Sequence, residues 1–340
     1  MKKSLLALAA LTAFAGVASA QSSVTLFGIV DVSVTSGKSG PNSLKGVASD
    51  QLSSNRLGFR GVEDLGGGLK AGFWIEGAMA PDTGTAGGQT WQRRSTVSLM
   101  GGFGEVRLGR DYTPSFWNYT VFDPFGTNGP GSMLNLASTV GSSAGTLVRA
   151  NNTVGYFLPA MGGLYGQLMV AAGEGVKAPT NKYTGGRIGY AAGPLNVAAA
   201  YGKTSKDGSA DVDDFKDRNI GASFAIGPAT IIAQYSKRDY STFNQKTALI
   251  GGTYAFGAST LKASFTKSTG SSSLYEAKQV AVGYQYDLSK RTSLYGTFSS
   301  LNNGGDAKTG ARYTVGASAP AQVQGGDSSK GLAIGVRHAF

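Results

Sequence analysis

The 340-residue chain contains no cysteine and a single histidine, His338. Without a thiol there is no disulfide framework, no cysteine nucleophile and no cysteine-based zinc site. A serine–histidine triad would have only His338 to draw on, and a multi-histidine metal centre cannot be assembled. Long apolar runs are scarce too. One runs from Leu5 to Val17, behind Lys2 and Lys3 and ahead of Ala18-Ser19-Ala20. A basic start, an apolar stretch and a small-residue site read as a cleaved export signal over residues 1–20, leaving one domain over residues 21–340. Beyond it, no stretch approaches the ~20 apolar residues that a spanning helix needs. An exported chain with no spanning helix but 52 glycines, 15 tyrosines and 16 phenylalanines points to β-structure.

Alternation supports this. Val24, Leu26, Val30, Val32 and Val34 share one parity, while Thr25, Asp31 and Ser33 take the other. The same rhythm sets Leu332, Ile334, Val336 and Phe340 opposite Gly331, Gly335 and Arg337. It also sets Leu69, Ala71, Phe73 and Ile75 against Lys70 and Glu76. Period two over about ten residues suits a strand with hydrocarbon on one face and water on the other. Seven short turns, such as Gly66-Gly67-Gly68, Ala192-Gly193-Pro194 and Gly227-Pro228, alternate with longer polar stretches such as residues 203–217 and 301–330. Seven hairpins plus a strand at either end give sixteen. The expected fold is therefore an all-β, sixteen-stranded antiparallel transmembrane barrel with short periplasmic turns and long external loops. Closure matters because lipid cannot satisfy an open sheet edge.

A soluble secreted sandwich would alternate as well. Against it stand the strand lengths and the aromatics near segment ends (Phe73, Trp74, Trp91; Tyr284, Tyr286; Phe340), which suit an interfacial girdle. Residues 112–150 show no alternation and carry Pro114, Pro124 and Pro130 beside Phe116, Trp117, Tyr119, Phe122 and Phe125. So long a connection is either disordered or functional. Its aromatics argue for a loop folded into the barrel, narrowing it.

Several segments resemble the general porins of Gram-negative outer membranes, particularly the β-proteobacterial branch. They include Ser23-Val24-Thr25-Leu26-Phe27-Gly28, Ser54-Asn55-Arg56-Leu57-Gly58-Phe59-Arg60-Gly61, Arg93-Arg94-Ser95-Thr96-Val97 and Phe103-Gly104-Glu105-Val106-Arg107-Leu108-Gly109-Arg110. Arg149-Ala150-Asn151-Asn152 and Gly335-Val336-Arg337-His338-Ala339-Phe340 match as well. The resemblance implies a homotrimer of sixteen-stranded barrels, each with its own pore and an inward third external loop. It also implies surroundings of membrane lipid and lipopolysaccharide, and an aromatic terminal residue, Phe340, read by the barrel-assembly machinery. No cofactor is implied.

Such a channel works by geometry and field, since a low-dielectric wall focuses charge into the water column. Leu57 and Phe59 facing lipid send Arg56 and Arg60 inward. Val97 and Leu99 facing out put Arg94 inside and Arg93 outside, although Arg93 lies where alternation often fails and stays a candidate. Val154 and Tyr156 facing out put Arg149 inside. Arg56, Arg94 or Arg93, and Arg149 fall where the resemblance places a basic constriction wall. Opposite that wall the inward loop offers Asp123, with Asp111 at its start, and Glu76, inward on the third strand, is another acidic neighbour. Arg107 and Glu105, at i and i+2, read as a structural pair near the short-turn end. At an effective dielectric near 20, one unpaired charge ~6 Å away is worth roughly 3 kcal/mol before screening. Half of that gives about a tenfold preference, so the basic excess predicts anion selectivity.

Two other functions compete. A substrate-specific channel for phosphate, nucleosides or sugars would need a lysine-rich site or an aromatic path, and the loop aromatics leave that open. A barrel enzyme needs a base, and parity turns His338 outward. Nucleic acid binding is disfavoured by export and by cations spread along the chain, despite a formal charge of +11. Gly66-Gly67-Gly68 lacks the Gly-Lys-Ser/Thr of a phosphate loop.

Overall fold

The computed structural model describes residues 23–85, 90–173, 180–205, 213–321 and 324–340; the expected export signal lies outside them. The first eight strands are β1 Ser23–Ser39, β2 Asn42–Ser49, β3 Arg56–Gly66, β4 Leu69–Ala78, β5 Arg94–Gly101, β6 Gly104–Tyr112, β7 Arg149–Phe157 and β8 Leu164–Ala171. Nine more follow: β9 Lys182–Ala192, β10 Leu195–Ser205, β11 Phe215–Ile226, β12 Ala229–Tyr240, β13 Phe243–Phe256, β14 Ser259–Gly270, β15 Ala277–Asp287, β16 Thr292–Asn303 and β17 Ser328–Ala339. Each pairs antiparallel with its neighbour, and β17 returns to β1 from Ile29↔Ala339 to Ser39↔Ser329. The ring is closed. Gly28 and Phe340 exchange both backbone hydrogen bonds at its seam, at 3.0 and 3.1 Å.

Sixteen staves hold these strands because β2 and β3 are two pieces of one. Both pair with β1, β2 with its second half and β3 with its first. The chain turns at Gly40 and is back on the sheet by Asn42, ahead of the segment that carries Arg56 and Arg60. Residues 50–55 then leave the ladder, starting at Asp50 with φ +67°. The freed donors are not orphaned. Asp31 accepts from the Leu52 and Ser53 N–H groups, both at 2.6 Å, and from the Tyr295 hydroxyl at 2.5 Å. Asn55 bonds both backbone groups of Asp31.

Burial follows the alternation. On β17, Ser329, Gly331 and Ala333 are buried, whereas Leu332, Ile334 and Val336 are exposed. The outer band continues through Val154, Ile188, Ile220, Ile250 and Val282. A continuous apolar exterior of this extent is unstable in water and suits hydrocarbon. Tyr190, Phe224, Tyr254, Phe256, Tyr284 and Tyr286 line its short-turn edge, as interfacial aromatics do. Trp74, grouped by sequence with that girdle, faces the lumen instead: its indole N–H donates to Glu76 Oε2 at 3.1 Å.

Between β6 and β7 the chain folds inside the barrel. Helix α1 (Pro114–Val121) opens this loop, with Pro114 in its first turn where a missing N–H costs nothing. Tyr119 and Phe122, both fully buried, join Met133 against Ala198, Ile232 and Leu249 of the inner wall. Strict polar-inside alternation fails at these wall positions because their solvent is the loop rather than water.

Candidate functional site

Neighbouring strands bring the basic candidates together at one level. Arg56 opens β3, Arg94 opens β5 and Arg149 opens β7, while Glu76 lies near the matching end of β4. Arg93 sits one residue outside the β5 ladder. Strict parity would turn it toward lipid, but its N–H bonds the Glu76 carbonyl at 3.0 Å and its guanidinium swings inward. Arg93 Nε donates to Glu76 Oε1 at 2.6 Å, and Arg56 Nη1 approaches the same oxygen at 3.6 Å. Arg93 and Arg94 thus both face the lumen.

A residue that sequence reasoning passed over joins the cluster. The Tyr112 hydroxyl accepts from Arg93 Nη2 at 2.7 Å and from Arg149 Nη2 at 2.6 Å. The Arg149 guanidinium also lies 4.2 Å from the centre of the Tyr112 ring. The register shifts between Gly109↔Thr153 and Asp111↔Ala150, so β7 carries one residue more than β6 before Arg149 comes opposite Tyr112. Bulges re-aim side chains in this way, and no parity count detects one.

On the same wall, Arg60 and Arg94 lie over Trp74, at 5.1 and 4.6 Å. Arg60 has no ion pair among the described residues. Arg94 Nε is 3.9 Å from Asp111 Oδ1. Arg107 holds Asp111 Oδ2 at 2.6 Å and Glu105 Oε1 at 2.9 Å, so the expected Arg107–Glu105 pair has a third member. Asp111 is wholly buried between these guanidiniums. Glu76 and Asp111 therefore lie among the arginines, on the same wall rather than facing it.

Asp123 stands apart. Its carboxylate accepts from the N–H groups of Phe125 (2.9 Å), Thr127 (3.2 Å) and Met133 (3.0 Å), closing the loop's own turn. Loss of water around it pushes its pKa up to about 6, against the pull of these donors and of Lys262. It makes no ion pair with the arginine wall.

The loop is tied to the far wall by amides that sequence reasoning did not single out. Asn219 donates to the Ser115 carbonyl at 3.1 Å, Gln245 to Leu136 at 2.7 Å, and Gln279 to Gly131 and Ser132 at 3.1 Å each. Their only signal in the sequence is an inward parity. Arg238 and Asp217 close over Tyr119, whose hydroxyl donates to Asp217 Oδ1 at 2.8 Å. Phe116, Tyr119, Phe122 and Phe125 are buried and anchor the loop; of the five loop aromatics Trp117 alone is half-buried, packed against Tyr112 at 5.3 Å, which is no run of rings along a solute's path. Toward β3, Ser54 bonds Asn128 at 2.8 Å. Gly129, at φ +65°, passes so near Gln51 that a Cβ would lie 2.0 Å from its carbonyl oxygen. His338 is exposed on the outer side, Nδ1 2.9 Å from the Thr292 hydroxyl, and makes no ion pair with a carboxylate among the described residues.

Residues 7–307 match the family model described as Gram-negative porin. The chain is 40% identical to outer membrane porin protein 32 of Delftia acidovorans over the whole of both chains. It is 27% identical to an outer membrane porin protein of Bordetella pertussis over 89% of this chain and 95% of that one. Among solved structures, an anion-selective porin from Comamonas acidovorans superposes with a TM-score of 0.85 at 33% identity, covering 94% of this chain and all of the other. A closed sixteen-stave barrel with an apolar outer band, a charged bore and an inward loop thus agrees with kinship across the chain: this protein belongs to the Gram-negative porin family, the channels of the bacterial outer membrane.

Proposed function

We propose that the channel passes small hydrophilic solutes by diffusion and prefers anions, with its constriction between the β3–β7 arginine wall and the loop seated on the opposite side. The observation that carries this reading is the wall's charge balance. Arg56, Arg60, Arg93, Arg94, Arg107 and Arg149 are held with Glu76, Glu105 and Asp111, an excess of positive charge facing the bore. Likeness to the anion-selective Comamonas porin supports the same sign. Fixed positive charge beside a low-dielectric wall lowers the energy of an entering anion and raises that of a cation.

The functional unit is a homotrimer, each barrel conducting through its own bore, made from a chain whose first twenty residues are removed on export. Phe340 is the terminal signal for the barrel-assembly machinery. The buried loop aromatics give no support to a solute-specific aromatic slide. Reversal potential in a planar bilayer under a KCl gradient tests the selectivity. Chloride preference is expected, and a cation-selective potential would reject the proposal. Native mass spectrometry of the purified porin tests the trimer.

A further inference from the structure

Three guanidiniums, those of Arg56, Arg93 and Arg149, meet at one level of the bore, and a single carboxylate, Glu76, pairs with them. Glu76 takes Arg93 and Arg56. Arg149 makes no ion pair among the described residues. Like charges gathered beside a low-dielectric wall repel, and long side chains left free would spread.

What keeps the third cation in place is the Tyr112 hydroxyl. Two donors bound to one oxygen at 2.7 and 2.6 Å stand no further apart than those lengths laid end to end, so Arg93 Nη2 and Arg149 Nη2 lie close together. The kind of acceptor matters here. A carboxylate gathers cations by cancelling charge, as Glu76 does for Arg93 and Arg56 and Asp111 for Arg107 and Arg94. A neutral phenol gathers them and cancels nothing. It also offers the face of its ring, 4.2 Å from the Arg149 guanidinium, and a ring quadrupole attracts a cation. A wall that selects by sign keeps more of its field with an acceptor of this second kind.

Tyr112 is itself held from the loop. Its ring stacks on Phe116 at 5.4 Å, with 6° between the planes, and packs on Trp117 at 5.3 Å, both residues of α1. On the sheet it stands opposite Arg149, and just beyond it the Thr113 N–H bonds the Val148 carbonyl at 3.1 Å. The ring is fixed by the loop, while the oxygen serves the wall.

We propose that Tyr112 is a positioning residue for ion selectivity, an uncharged acceptor that keeps Arg93 and Arg149 together against their repulsion at a place set by the loop helix. The inference rests on the anion-preferring reading above. It adds that the preference depends on an oxygen carrying no charge of its own.

Reversal potentials of Y112F, Y112E and R149S/Y112F test it, measured beside the wild type and R149S in planar bilayers under a KCl gradient at low salt. Y112F keeps the ring, the stack on Phe116 and every charge. Its chloride preference is expected to fall about threefold, short of the roughly tenfold fall expected when Arg149 itself is removed. Its resistance to heating in SDS should stay that of the wild type. Y112E restores an acceptor but adds a negative charge, and its preference is expected to fall about tenfold, as far as that of R149S. In R149S/Y112F the phenol has lost the cation it holds, so the second change should add little to the first, as residues in contact require. A wild-type channel that prefers potassium would overturn the anion reading itself. With chloride preference intact in the wild type, three results would overturn the role of Tyr112 alone: an unchanged potential in Y112F, additive losses in the double variant, or a fall in Y112F that comes with lost heat resistance.

Discussion

Strands β3–β7 and strands β9–β15 obey one alternation, yet they turn different chemistries into the same lumen. The first group presents arginines interleaved with carboxylates and a tyrosine. The second presents mostly amides and apolar residues, Asn219, Gln245 and Gln279 beside Ala198, Ile232 and Leu249, and its charges, Arg187 on Asn118 and the Arg238–Asp217 pair at Tyr119, are taken up by the loop. What differs is the neighbour. Water faces the arginines, whereas the inward loop covers the other wall and must have its carbonyls bonded and its aromatics buried. Inward parity tells which side chains leave the lipid and says nothing of what they meet.

The sharpest way to break this contrast is Arg107→Ser. On the charged wall it strips the wholly buried Asp111 of its 2.6 Å ion-pair partner, leaving Arg94 at 3.9 Å and the Tyr112 N–H at 2.8 Å. Removing one member of a buried ion pair costs about 3–5 kcal/mol. The folded barrel should lose its resistance to heating in SDS at a visibly lower temperature. An unchanged transition would mean that the wall's charges are solvated and act singly.

Gly221→Val attacks the other wall. A Cβ at Gly221 would lie 2.2 Å from the Phe122 ring, so the loop must move away from β11 and into the bore. Overpacking of this kind costs about 1–3 kcal/mol. Conductance should fall while the sign of selectivity holds, because the arginines are untouched. A larger conductance would place the loop's weight elsewhere.

How legible these walls were in the sequence differs in the same way. Closure, stave number, the seven short turns and the inward faces of Arg56, Arg60 and Arg94 follow from period two, which needs only local information. Arg93 and Tyr112 do not follow. One sits a residue outside its ladder, and the other meets Arg149 only across a bulge in β7, where a single extra residue reverses parity. The break at residues 50–55 was equally hidden, since the Asp31 carboxylate that satisfies it comes from another strand and Tyr295 from a third. Asp123 is a distinct case: its position on the loop was legible, but its three backbone donors exist only once the loop has folded.

Arg149→Ser sharpens the comparison by removing charge from the arginine wall while leaving its carboxylates paired. Arg149 bonds the Tyr112 hydroxyl and no carboxylate. Stability should therefore change little, and chloride preference should fall about tenfold, the equivalent of ~1.4 kcal/mol. Reversal potentials measured at two salt concentrations check this, with the smaller shift at higher salt as screening requires. A loss of stability without a shift in potential would make Arg149 a strut.

The smallest effect expected is a pH dependence confined to the loop. The Asp123 pKa of about 6 stands above the ordinary 3.8, because burial penalises the carboxylate more than its three N–H donors and Lys262 favour it. The seated loop then binds the proton more tightly than a released one. Its hold is strongest below the ordinary value, weakens as pH rises through the window between the two values, and is level above about 6. Current fluctuations from loop motion should accordingly be fewer at pH 4.5 than at pH 7.5. Asp123→Asn, neutral at every pH, should remove that difference while leaving selectivity unchanged, since the arginine wall lies outside the contacts of this carboxylate. Fluctuations that track pH equally in both proteins would move the titrating group from the loop to the charged wall.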